Sequence, residues 1–133
     1  MRIAIVSDIH DNLTAFEAVL RDLRETSPDL VLQGGDLVSG GSSPVEVVDR
    51  VRDLGWLGVF GNSDEAVARP ETLDAFAEQS LAPRSLWDAV REMTAFTREA
   101  LGNTADATDA ELESTYLPLG RRRRSPRFLF ANC

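Results

Sequence analysis

The chain has 133 residues, with 14 basic and 22 acidic side chains, a net charge of −8, 43% hydrophobic residues, one histidine and one cysteine. That length suits a single domain able to bury roughly two thirds of its unfolded surface, which excludes a largely disordered chain. Every basic residue is arginine, and up to Gly120 nine arginines face all 22 acidic residues, a balance that excludes a body built to bind nucleic acid.

The lone Cys133 excludes an internal disulfide and a cysteine zinc cluster, and the lone His10 excludes a site built from several imidazoles of this chain. Ile3-Ala4-Ile5-Val6 is shorter than a signal-peptide core of ~7 to 15 residues, and no run approaches the ~20 apolar residues of a membrane helix. A cytoplasmic protein with no membrane partner is expected.

In chain order, Arg2 to Ser7 is a compact β-branched run that predicts a strand buried on both faces. Leu13 to Arg24 follows, with Phe16, Val19, Leu20 and Leu23 at helical spacing. Ser27-Pro28-Asp29 ends that unit as a turn. Leu30 to Gln33 is a second strand, leading into the glycine- and serine-rich stretch 34–43. Ser43, Pro44 and Glu46 then carry a helix-start signature: a capping hydroxyl, proline in the first helical position, and a carboxylate three residues after the cap. Val45, Val48, Val51 and Leu54 supply that helix's stripe. Trp56 to Phe60 predicts the third strand, running into the turn Gly61-Asn62-Ser63-Asp64.

Strand, helix, strand, helix, strand argues for parallel strands joined by right-handed crossovers. Beyond residue 65 the pattern is helical: Glu71 to Gln79, then Ser85 to Leu101 with Leu86, Val90, Met93 and Phe96 or Thr97 on one side, stopped by Gly102-Asn103. Trp87, Met93, Phe96 and Trp56 are read as packing residues. Thr108 and Glu111 form a capping box for a short helix reaching about Tyr116. The chain divides into a body, 1–120, whose motifs lie in 1–65 and whose helical part is 66–120, and a basic tail, 121–133.

Ligands of open α/β sheets bind beyond the carboxyl ends of the strands. The first predicted strand delivers Asp8-Ile9-His10 there, the second Gly34-Gly35-Asp36, and the third Gly61-Asn62-Ser63-Asp64. Parallel strands place all three on one rim. Asp8, His10, Asp36, Asn62 and Asp64 are oxygen and imidazole donors suited to divalent manganese or iron. Alternate residues of an extended loop point the same way, so Asp8 and His10 can reach one ion. The glycines before Asp36 and Asn62 permit sharp turns. Each signal alone is an ordinary turn; their recurrence at three strand ends makes a site.

Asp8-x-His10, Gly35-Asp36 and Gly61-Asn62-x-Asp64 resemble the first three motifs of the calcineurin-like metallophosphoesterases. The Ser7-Asp8-Ile9-His10-x-Asn12-Leu13 context is most similar to the superfamily's small bacterial phosphodiesterases. The resemblance implies an α/β fold of two packed sheets flanked by helices, of which this chain carries the parallel strand-helix-strand half with the second sheet largely missing. It implies Asp8 and His10 on a first metal, Asp36 bridging, Asn62 on a second, and Asp64 behind them. The implied chemistry is hydrolysis of a small phosphodiester or phosphomonoester by metal-activated water, with no covalent intermediate.

The family's further ligands are histidines after a later strand and in a Gly-His-x-His motif, and this chain has none beyond His10. One well-held ion, impaired activity and an uncovered sheet face prone to self-association are therefore expected. Asp11 stands where the family has glycine, and Ser63 where many members have a histidine. The alternative is a non-catalytic remnant that binds one divalent metal or phosphate, or acts through protein contacts. A haloacid-dehalogenase-type phosphatase is disfavoured, because the first strand ends in Asp-x-His rather than Asp-x-Asp. The change of character at Arg121-Arg122-Arg123-Arg124 is read as a frame change after about Gly120, in a chain whose lack of lysine points to GC-rich coding.

Overall fold

The computed structural model describes residues 1–102 and the backbone of 117–118. The strands are β1 (Ile3–Val6), β2 (Leu30–Gln33), β3 (Leu57–Gly58) and β4 (Leu117–Pro118); the helices are α1 (Leu13–Thr26), α2 (Pro44–Leu54), α3 (Asn62–Ala68), α4 (Thr72–Gln79) and α5 (Arg84–Leu101). The strands pair in the order β1-β2-β3-β4, all parallel. Ile3 lies opposite Leu30, Ile5 opposite Leu32, and Leu32 opposite Leu57.

That register decides which face is buried. Because strand residues alternate sides and paired residues share one, Val6 and Val31 lie on one face and Ile3, Ile5, Leu30, Leu32 and Leu57 on the other. Val6 joins Phe16 and Leu20 of α1 and Val47, Val48 and Val51 of α2 in the core. The second face is open: Ile3 is 48% exposed and Ile5 69%. β1 is therefore not buried on both faces. With strand order following chain order, successive crossovers of one hand stack both helices on the same side, and no described element covers the other.

Gln33 is a buried polar residue on the covered face. With its amide oriented so that the nitrogen donates to the Val59 carbonyl (3.1 Å) and the oxygen accepts from the Gly35 N–H (2.9 Å), it ties β3 to the loop after β2. Trp56 meets Phe16 edge to face, with ring centroids 5.9 Å apart, and packs against the core as its sequence context predicts.

Three local expectations change. Ser43 precedes α2 without a side-chain capping bond, so Pro44 at the first helical position carries the start signal. The Gly61-Asn62-Ser63-Asp64 turn is the start of α3, a helix too short to show a stripe. Of the two alternatives for the α5 stripe, Thr97 and not Phe96 is buried, and the seam turns further toward Thr94 while Leu86, Met93 and Phe96 stay substantially exposed. Val90, Thr94, Thr97 and Leu101 are spaced for one side of a helix, and threonines allow closer approach than the large apolar residues. Arg98 of α5 donates to the Val67 and Ala68 carbonyls at 2.6 and 2.8 Å, satisfying the C-terminus of α3. The predicted helix 108–116 and the tail 121–133 lie outside the described residues.

Candidate metal centre

The three strand-end loops meet as predicted. Pairing continues past the strands: the amides of Asp8, His10 and Asp11 donate to the carbonyls of Gly35, Asp36 and Leu37 at 3.1, 3.1 and 2.9 Å. The loop after β1 is thus stitched to the loop after β2, residue by residue, through the segment that carries the donors.

Asp8, His10 and Asp36 come together, each with one ligand atom within 4.8 Å of the others. Asp8 and His10 do not reach this arrangement by extended alternation. Asp8, His10 and Asp11 have φ of 60°, 47° and 59°, and Asp36 and Ser39 have 55° and 72°. Left-handed backbone is costly for most residues, and aspartate and histidine are among the side chains that tolerate it best. Several such residues at one rim is the pattern of strain held at a functional site.

A second contact holds each of these side chains. His10 Nδ1 lies 2.8 Å from the Ser39 carbonyl, which makes Nδ1 the donor and leaves the Nε2 lone pair for a metal. Nε2 is 3.7 Å from Asp8 Oδ1, while the Ser7 hydroxyl donates to Asp8 Oδ2 at 2.6 Å. Asp36 Oδ1 accepts from the Ser63 N–H at 2.8 Å. Two carboxylates and an imidazole, each oriented by a second contact, fit a hard or borderline divalent ion.

Asp64 has a different task. It is fully buried and outside the trio of Asp8, His10 and Asp36. One carboxylate oxygen accepts from the amides of Asp36 and Gly61 at 2.8 and 3.0 Å; the other accepts from Leu37 and Val38 at 2.9 and 3.1 Å. The carboxylate is a latch that clamps the Asp36 loop to the start of α3. Gly35 and Gly61 allow this approach. A Cβ on Gly61 would stand 2.2 Å from the Asp36 nitrogen, and one on Gly35 2.8 Å from Gly61. Gly35 also needs its φ of 94°. Gly61 is extended and serves close contact rather than a turn.

Asp11 is buried behind the trio. Its Oδ2 accepts from the Ser39 N–H at 2.8 Å and the Thr97 hydroxyl at 3.2 Å, and its Oδ1 has no hydrogen-bond partner among the described residues. Burial raises its pKa from 3.8 to about 6, against the opposing pull of the Ser39 amide, the Thr97 hydroxyl, the Gly41 amide and His10. Ser39, which orients His10, and Thr97, which docks α5 on this floor, carry no motif. A polar residue on the seam of an amphipathic helix was the sole sign of Thr97.

His10 stands between two hollows. One, of about 490 Å³, is polar and lined by Asp8 to Thr14 and Gly40 to Ser43. The other, of about 340 Å³, passes Asn62 and Ser63 and runs between α4 and α5. Asn62 therefore lies along the wall that His10 also lines.

A parallel α/β sheet that presents carboxylate, imidazole and carboxylate from consecutive strand ends defines a protein with a candidate divalent-metal site. The family model for calcineurin-like phosphoesterases matches residues 1–120, and the chain belongs to that family. A metallophosphoesterase structure from Sphaerobacter thermophilus is similar, with a TM-score of 0.58 and 34% identity over 86% of this chain and 41% of that one. An uncharacterized protein of Methanocaldococcus jannaschii is 45% identical over 74 residues, which are 56% of this chain and 30% of that protein. The chain thus spans well under half the length of these two relatives. Among the described residues, no helix is long and apolar enough to cross a membrane.

Proposed function

We propose that the chain is a metal-dependent phosphoesterase acting on a small phosphodiester or phosphomonoester, with Asp8, His10 and Asp36 holding one divalent ion. The carrying observation is the convergence of three ligand atoms within 4.8 Å. The Ser39 contact supports it by freeing Nε2. Such an ion, manganese or iron(II) by donor type, supplies Lewis acidity toward phosphoryl oxygens and acidifies water.

Asp36 and Asn62 are the donors this reading leaves for a second ion, which His10 cannot also serve. Activity is accordingly low. Ser63, beside Asn62, offers a hydroxyl where an imidazole would protonate a leaving group, so esters of acidic alcohols are the favoured substrates. Calorimetric titration with manganese and hydrolysis of an aryl phosphodiester test the reading. One bound ion and metal-dependent turnover, both lost in Asp36→Asn, are expected. The single imidazole favours a second reading, a non-catalytic binder: one weakly held ion and no turnover would establish it instead.

The open sheet face belongs to the same proposal. Ile3, Ile5, Leu30, Leu57 and Val59 are all at least a third exposed, and the paired positions on that face carry no charge. A second copy of the chain, with an identical uncharged face, covers it. Sedimentation velocity should show concentration-dependent association that Ile5→Glu reduces; a wild-type monomer at all concentrations would refute it.

A further inference from the structure

The hollow of about 340 Å³ between α4 and α5 differs in character from the rim it opens on. Its inner walls are Leu73 and Phe76 of α4 and Trp87, Val90 and Met93 of α5. Its mouth carries His10, Asn62 and Ser63. Among the described residues lining it, none is an arginine or a carboxylate. In contrast, the neighbouring hollow on the other side of Trp87 is lined by Asp74, Glu78, Arg84, Asp88 and Arg91. Phe76 and Met93 are 41% and 42% exposed, although periodicity assigns Met93 to packing. Large apolar side chains at a concave surface beside a polar site are the composition of a ligand pocket, and a cavity of roughly 150 Å³ lined by such residues suffices for benzene.

We propose that this cleft binds the ester group of the substrate, and that the group is aromatic and uncharged, with its phosphoryl end on the Asp8, His10 and Asp36 rim. This rests on the phosphoesterase reading for the role of the rim, whereas the cleft's preference for an aromatic group stands on its own walls. The absence of arginine among the described lining residues disfavours further phosphates in the cleft, since each would lose its water without gaining a cation there. An aryl or nucleobase-bearing ester suits it better than a sugar phosphate or a polyphosphate. The same geometry places Ser63 next to the leaving oxygen, so a stable aryloxide, which needs no proton donor, matches what the chain supplies.

Two probes separate the cleft from the rim. Met1 and Met93 are the two methionines of the chain, so methyl-¹³C-methionine labelling yields one signal in the cleft and one control at the exposed N-terminus. Metal-free protein titrated with benzyl alcohol should show a ring-current shift at Met93 and none at Met1. In calorimetry with manganese, phenylphosphonate should bind about tenfold more tightly than methylphosphonate. Phe76→Ala should remove most of that ratio without weakening methylphosphonate.

An unmoved Met93 signal, or equal affinities for the two phosphonates, would overturn the aromatic cleft and leave the metal rim standing. If benzyl alcohol shifts Met93 but neither phosphonate binds, the rim does not hold phosphoryl groups. The cleft is then not a substrate site.

Discussion

Asp11→Asn isolates the energetic consequence of a carboxylate buried behind Asp8, His10 and Asp36. Asparagine has the same shape, tolerates the φ of 59°, and can still accept from the Ser39 amide and the Thr97 hydroxyl. What changes is the charge. The Asp11 pKa rises from 3.8 to about 6 on folding, so between those values the folded state holds more proton than the unfolded state, and stability falls as pH rises. A difference of roughly two units at ~1.4 kcal/mol each makes the full penalty about 3 kcal/mol, reached above pH 6 and absent below pH 4.

Urea unfolding of metal-free wild type and variant at pH 4, 5, 6 and 7.5 measures it. Near pH 4 the two should be within about 1 kcal/mol, the uncertainty of one exchanged hydrogen bond. The variant should then gain steadily, reaching up to about 3 kcal/mol over wild type at pH 7.5. Taking the difference between the two proteins cancels every titrating group that does not interact with Asp11. A pH-independent difference, or a variant that is weaker at pH 7.5 than at pH 4 relative to wild type, would refute the assignment of the penalty to this carboxylate.

Asp64→Ala strands the amides of Asp36, Leu37, Val38 and Gly61 that the carboxylate now satisfies. A loss of about 4 kcal/mol is expected in the same urea assay, with a smaller loss for Asp64→Asn, which keeps one acceptor oxygen. Gly61→Ala drives a methyl group to 2.2 Å from the Asp36 nitrogen, so backbone must move. Manganese affinity should drop at least tenfold by calorimetry even where the fold survives, because a shift of about 1 Å in one donor breaks the convergence.

Much of the first half was legible in the chain. Leu13 to Arg24 and Pro44 to Leu54 announce helices because one face alone is apolar, and Leu30 to Gln33 announces a strand because it is short, apolar and bounded by turns. α3 was hidden because seven residues are too few to show a period, and Gly61-Asn62 is also turn chemistry. On α5 periodicity leaves Phe96 and Thr97 as alternatives and points to Leu86 and Met93 because they are the more hydrophobic side chains; Thr94 and Thr97 fill the seam because Thr97 must approach Asp11.

By itself, the sequence determined the composition of the site and its place at the ends of three parallel strands. It determined the family too, because donor types and spacing along a chain are local properties. Tertiary structure alone decided what those residues do. It made Asp64 the latch that holds the Asp36 loop, aimed His10 Nε2 through the Ser39 carbonyl, turned Asp11 into a buried charge, and opened a cleft at Met93. Each of these depends on groups far apart in the chain, up to 86 residues for Asp11 and Thr97. Whether a polar atom is satisfied or a side chain is covered depends on what stands opposite it, which no stretch of sequence contains.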